Sequence, residues 1–419
     1  MRPPIPFVIQ QHAEDAVVLR NTRSLLVRAP HVKLHQLARL DERLAGHLDG
    51  LAVAGEQGAR IASAALDTPG SAEVFVAAAC AIERRDPVGL ERLFALAQAM
   101  PELQPGLISA FGWVPGASLQ GITRALLDSP GALQREVGLC ACVMHGIDPG
   151  AALDAALADK APTLRARALR ISAQLGDVAR LPACMAAMAG DDEACAAEAA
   201  HAAVLLGGGE HALAALHALA VAQVPHQARA LSLLLAVLPP LEGRAVLTTL
   251  AQDATLARPL IRGIGVAGDA HFLPWLVRQM HDKALARIAG ESFSLITGLD
   301  LALLDLERDA PADAELGPND DPADGDTAMD ADDGLPWPDP EQLHAWCEGK
   351  DGQRFVPGLR YFMGELPTPA HCVQVLQSGF QRQRSAAALH LRLLRPGHLL
   401  FNTAAPAARQ RAALIAMGA

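Results

Sequence analysis

The densest run of side chains able to do chemistry is acidic: residues 305–341 hold fourteen Asp and Glu against one Arg. Closely spaced carboxylates are the usual ligands of calcium, and DDPADGDTAMDADD can be set against the twelve-residue calcium loop. With Asp320 in the first position, Asp324 and Gly325 fall fifth and sixth as the loop requires. The third position is then Pro322 and the twelfth Ala331, where a bidentate Glu belongs. Two ligands are missing, so the expectation is a solvated acidic loop. His31 and His35 stand one helical turn apart, and His344 precedes Cys347 by three. Neither pair gains the further ligands of a structural zinc site. No GxSxG or local cysteine signature supplies a nucleophile. Gly207-Gly208-Gly209 lacks the GK[ST] ending of a phosphate loop and follows a helix, so it reads as a turn. No catalytic residue, cofactor or metal is therefore expected.

Cationic and aromatic residues point to binding instead. Arg165, Arg167 and Arg170 cluster on one helical stretch, and Gln381-Arg382-Gln383-Arg384 opens another. A nucleic-acid-binding rod carries a net basic stripe. This chain has a net charge of −11, and outside residues 305–341 the balance is only +2. Nucleic acid is disfavoured on that ground, and a DNA-glycosylase-like or other nucleic-acid-binding protein remains the alternative reading. Trp and Arg are enriched where protein interfaces concentrate their energy. The candidate protein-binding residues are Arg165, Arg170, Arg262, Trp275, Arg278, Trp337, Arg382 and Arg384.

The elements that must position them are helices. Of 419 residues, 51% are hydrophobic but only 4% aromatic, with Ala and Leu dominant, which favours an all-α fold. After an irregular first thirty residues, Leu34, Leu37, Leu40, Leu44, Leu48 and Leu51 mark one apolar helix face. Further helices are expected at 56–66, 71–84, 87–100, 103–111 and 117–128. From 130 they come in pairs: first helices at 131–145, 162–175, 191–206 and 225–238, second helices at 149–158, 177–188, 209–221 and 242–252. Another pair at 255–266 and 269–281 leads into 283–298, and a last pair lies near 369–378 and 381–394.

The pairing is written into the sequence. APTLRARALRISAQLGDVARLPACMAAM (161–188) and DATLARPLIRGIGVAGDAHFLPWLVRQM (253–280) align without a gap at an offset of 92, or three periods of about 31. They share Gly176/Gly268, Asp177/Asp269, Leu181/Leu273, Pro182/Pro274 and Met188/Met280, among others. The Gly ends a helix in a left-handed conformation and the Asp caps the next. Leu181 and Leu273, and Met188 and Met280, are expected at equivalent buried positions. Gly-Asp-x-x-x-Leu-Pro at this period resembles the HEAT-like repeats of the phycobilisome-lyase type. The strings HLDGL (47–51), GESFSLITGLDL (290–301), LPWPDP (335–340) and GFQRQRSAAALHL (379–391) resemble a bacterial HEAT-repeat family often encoded near type VI secretion genes.

The repeats imply a right-handed α-solenoid of helix pairs at 1–304, and composition marks an acidic Pro/Asp-rich linker at 305–340 and a basic helical capping module at 341–419. Such a solenoid implies a non-enzymatic protein-binding scaffold, and the resemblance implies an adaptor, chaperone or immunity protein whose partner is a secreted effector or a secretion component. Within the linker, 311–333 should be mobile near the basic cap, while Leu335-Pro336-Trp337-Pro338 packs on the helices and Asp339 caps the next one. The seven cysteines form no framework and read as reduced, buried thiols. With no signal-peptide pattern and no membrane-length apolar run, a cytoplasmic protein is expected.

Overall fold

The computed structural model describes residues 5–222, 224–312, 314 and 330–418. Among them are 23 α-helices and no strand; the only bridges are three isolated ones. The all-α expectation holds. No described helix is long and apolar enough to cross a membrane. The chain divides into two compact units: residues 1–28, 32–208 and 396–419 form the first, and 29–31 with 209–395 form the second. The boundaries expected at 304/305 and 340/341 both fall inside the second unit, and residues 396–419 belong to the first.

In the first unit, the helix Leu34–Val53 buries the expected leucines at 34, 37, 40, 44, 48 and 51. The stretch expected to be irregular contains a 21-residue helix, Pro6–Leu26. Its buried stripe is Ile9, Ala13, Ala16, Leu19 and Arg23, correctly spaced but too poor in large apolar residues to show as a hydrophobic face. Arg23 is buried because it is paired: Nε meets Asp41 at 2.6 Å, and the guanidinium donates to the carbonyls of Ala404 and Ala405 at 3.1 and 3.0 Å. Asp41 also accepts from the Ala407 N–H at 2.7 Å, anchoring the start of the helix Ala407–Ala416. A buried ion pair is tolerable only with such further hydrogen bonds.

The repeated helices appear where the periodicity puts them. Ala132–Met144, Pro162–Leu175 and Glu193–Leu205 pack side by side in succession, around a core that includes Leu139, Leu153, Leu164, Ala168 and Ile171. In the second unit Gln227–Val237, Ala257–Ala267 and Ala286–Thr297 succeed one another in the same way. Gly176 (φ 80°) and Gly268 (φ 71°) are left-handed, as the turn requires. Asp177 accepts from Ala179 N–H and Asp269 from His271 N–H, both at 3.0 Å, each opening a short 3-10 turn before the second helix. The expected equivalence of the leucines and methionines is only partial: Leu273 and Met280 are buried, whereas Leu181 and Met188 are half-exposed.

The two flanks of the acidic segment pair with each other. Arg308 N–H donates to Trp337 O at 2.8 Å, Asp339 N–H donates to Leu306 O at 2.9 Å, and Glu307 bridges Pro338. Asp339 then caps the helix Pro340–Glu348, with Pro340 at its first position as expected. All seven cysteines are free and six are buried; burial pushes the Cys80 thiol up to about 12 and Cys140 to about 11.

Candidate functional site: an arginine cluster holding an acidic segment

Within the second unit, three helices supply a concentration of guanidinium groups. Ala257–Ala267 carries Arg258 and Arg262, Ala286–Thr297 carries Arg287, and Gln381–Leu394 carries Arg382. Arg258 and Arg262 stand four residues apart, so both lie on one side of their helix. On Ala286–Thr297 the same spacing places Glu291 beside Arg287. Arg382 reaches Glu291 with Nη1 at 3.0 and 3.1 Å from the two carboxylate oxygens. Burial pushes the Glu291 carboxyl above its ordinary range, against the opposing pull of Arg382 and Arg262. Burial and the surrounding arginines thus act on this acid in opposite directions.

The end of the acidic segment lies in this cluster. Arg258 Nη2 meets Asp332 Oδ1 at 2.5 Å, and Arg287 Nη2 meets Asp330 Oδ2 at 2.6 Å. Backbone contacts add to the side-chain pairs. Arg287 Nη1 donates to Asp332 O at 3.2 Å and Arg382 Nη2 to Ala331 O at 3.2 Å. The Arg287 guanidinium also lies 4.8 Å from the centre of the Trp337 ring, a cation–π distance. Burial alone would raise the Asp330 carboxyl, but the Asp332 N–H and Arg287 outweigh it and hold the group below its usual range. Asp332 is 3% exposed, so its charge is desolvated and depends on its partner. Arg287 Nε is buried and finds no hydrogen-bond partner among the described residues.

Of the eight candidate residues, three come together here: Arg262, Trp337 and Arg382. Arg262 is exposed at the edge of the cluster, and Trp337 is buried against Arg287. The rest are dispersed. Arg165 donates to Asp159 O at 2.9 Å, and Arg170 pairs with Glu198 at 2.6 Å, both in the first unit. Trp275 is half-buried and Arg278 exposed on Leu273–Gln279. Arg384 is fully buried and donates to Leu376 O at 2.6 Å and to Gln381. It offers no surface to a partner, and its desolvation lowers it to about 10. The basic start of that helix thus divides, with Arg382 facing the cluster and Arg384 turned into the core.

Arg258, Arg287, Glu291, Asp330 and Asp332 were not singled out from the sequence. The Arg287/Glu291 spacing is the one local signal; the pairs joining them to residues 330–332 and 382 span 43 to 91 residues. The expectation of a mobile 311–333 is corrected at its end, since 330–333 are described and Asp330 and Asp332 are ion-paired. The candidate calcium positions Asp320, Pro322, Asp324 and Gly325 lie outside the described residues. Among the described residues no group of three His, Cys, Asp or Glu could hold a metal. His31 and His35 are exposed, and His344 faces Glu348 at 3.6 Å. Gly207 and Gly209 have φ of 90° and 65°, as a turn between helices demands.

The first unit has a concavity of ≈ 600 Å³ lined by Leu90, Phe94, Ile122 and Leu126, with Arg85 and Glu91 also in its wall. Its wall gathers no comparable group of charged side chains. Compared with protein-family models, with curated proteins and with solved structures, the chain matches none.

Proposed function

We propose that this chain is a non-enzymatic, protein-binding α-solenoid of right-handed HEAT-like helix pairs. The observation that carries the reading is the arginine cluster, which holds an extended piece of polypeptide by side chains and by backbone at once. Arg258 and Arg287 take carboxylates, Arg287 and Arg382 take carbonyls, and an aromatic ring packs beneath a guanidinium. Those are the elements of peptide recognition, and no reacting group is needed for them.

The pairing of arginines with carboxylates, inside the cluster and outside it, weighs against nucleic acid. Arg167 is matched by Glu136 at 2.9 Å, Arg170 by Glu198 at 2.6 Å and Arg382 by Glu291 at 3.0 Å. A phosphate would have to displace a carboxylate at each. The resemblance to HEAT-repeat proteins encoded near type VI secretion genes makes the role that of a cytoplasmic accessory protein: an adaptor, chaperone or immunity protein for an effector.

The test is reconstitution. A protein co-purifying with the full chain from native extract, once identified, should re-form a stoichiometric complex from purified components after nuclease treatment. A complex that vanishes with nuclease, paired with tight salt-sensitive binding of duplex DNA, would favour the nucleic-acid reading instead.

A further inference from the structure

The arginine cluster already holds an occupant. Arg258, Arg262, Arg287 and Arg382 sit around Glu291, Asp330 and Asp332, and two of those three carboxylates come from the acidic segment. Were residues 330–332 to leave, four guanidinium groups would face Glu291 as the one carboxylate among these residues. Arg287 would lose Asp330 and its bond to Asp332 O together, and keep only the Trp337 ring of the stem. A cluster with that excess of positive charge in a partly desolvated site is a strong receptor for carboxylates.

We propose that residues 330–332 are an internal occupant of a peptide-binding site, and that the site's external partner is an acidic peptide with an Asp-x-Asp pattern. The proposal rests on the protein-binding reading and adds its regulation. Three features support exchange in preference to a permanent structural contact. The first is a held stem: Arg308 N–H to Trp337 O and Asp339 N–H to Leu306 O fix the base of the segment independently of the arginines. Residues 330–332 can thus leave without the flanking chain letting go.

The second is incomplete satisfaction, since the buried Arg287 Nε has no partner among the described residues while Nη2 holds Asp330. A carboxylate seated across Nε and Nη2 would make the bidentate contact that the internal occupant does not. The third is accessibility: the Arg258 side chain is 35% exposed and that of Arg382 31%, so an incoming acid can meet them before the segment has gone. Competition would proceed by stepwise replacement, carboxylate for carboxylate, with no net burial of unpaired charge.

The occupied site binds an external peptide more weakly by the fraction of time it stands open. The experiment uses the full chain and a fluorescein-labelled peptide of its own residues 328–338, followed by anisotropy. In Asp330→Asn/Asp332→Asn the peptide should bind at least about tenfold more tightly than in the wild type, and added salt should weaken it. Arg258→Ala or Arg382→Ala introduced into that variant should abolish the gain, and a peptide with both aspartates changed to asparagine should not bind. Asp330→Asn alone, at the less buried of the two positions, should give a smaller gain and serves if the double variant loses helical content. Equal affinities for wild type and opened variants would overturn the proposal, as would equally tight binding of a single-stranded oligonucleotide. If the peptide result fails while a purified protein partner still binds both forms alike, the internal occupant is wrong and the protein-binding reading stands.

Discussion

The turns at Gly176-Asp177 and Gly268-Asp269 are written in the same letters and built with the same backbone, yet they do different work. Both glycines are left-handed and both aspartates cap a 3-10 turn through the N–H two residues on. Asp177 is half-exposed, and its other partner is Arg180 at 3.1 Å, three residues away. Asp269 is fully buried and takes Arg244 at 2.6 and 3.1 Å and the Gly358 N–H at 2.9 Å, beside its cap. Next to it, Tyr361 N–H donates to Gly268 O at 2.8 Å. The second copy has become an attachment point for residues 358–361, and the first has remained a turn.

Further along, Arg170 pairs with Glu198, whereas Glu291, near the equivalent Arg262, is taken by Arg382. A repeat therefore specifies its own local geometry, and what a given copy does is decided by the chain that returns to it.

The largest effect expected from this contrast is at the aspartates. Asp269→Ala leaves Arg244 and the N–H groups of Gly358 and His271 without their buried acceptor, and should cost about 3–5 kcal/mol. Asp177→Ala removes an exposed cap and should cost about 1 kcal/mol. Urea denaturation followed by circular dichroism measures both, and similar losses would break the comparison. The leucines come next. Leu273→Ala should destabilise by about 2–5 kcal/mol, as a buried leucine does, and the half-exposed Leu181→Ala by about 1 kcal/mol. A larger loss at Leu181 would mean that the two second helices are not placed as described.

What the sequence made legible follows the same division between local and distant. The left-handed glycines, the Asp caps, Pro340 at a helix start and the leucine face of 34–53 are decided within a turn or two of chain, and they were readable. The helix Pro6–Leu26 was not, because a stripe of Ala13, Ala16 and Arg23 becomes a buried face only when Asp41 and the carbonyls of Ala404 and Ala405 stand opposite. Arg382 and Arg384 are neighbours of one type in one helix, and only tertiary packing sends one to the cluster and the other to the core. The site was half legible for that reason. Trp337 and Arg382 stand out by residue type, while Arg258 and Arg287 acquire meaning only from aspartates 74 and 43 residues away.

Acid should sharpen the contrast between the turns. Burial alone would raise the Asp269 carboxyl, but Arg244 and the N–H groups of Gly358 and His271 hold it below the usual range. A depressed carboxylate adds stability in full above its unfolded pKa of about 3.9, and the contribution is lost as pH falls through the lower folded value. Melting temperature should therefore fall more steeply below about pH 4 in the wild type than in Asp269→Asn, which has no proton to bind there. Parallel curves would show that Asp269 is not a source of the acid sensitivity.

The smallest effect is expected from a comparison inside the acidic segment itself. Residues 330–332 are held by arginines and the stem at 306–308 and 337–339 is hydrogen-bonded, so both anchors have partners outside 315–329. That stretch, ELGPNDDPADGDTAM, has five acids and only a few apolar residues. Its composition gives little with which to offset the entropy of ordering. Replacing 315–329 by a Gly/Ser linker of equal length leaves the loop-closure entropy nearly the same and removes five mutually repelling charges. The melting temperature should then move by no more than about 2 °C in either direction, within reach of a scanning calorimeter. Extending the replacement through 333 also removes Asp330 and Asp332, leaving the desolvated arginines without their counter-charges, and the melting temperature should drop measurably further. If the two replacements melt together, the ion pairs at 330 and 332 contribute nothing to stability; if the shorter one already unfolds the second unit, residues 315–329 are a structural element and not a tether.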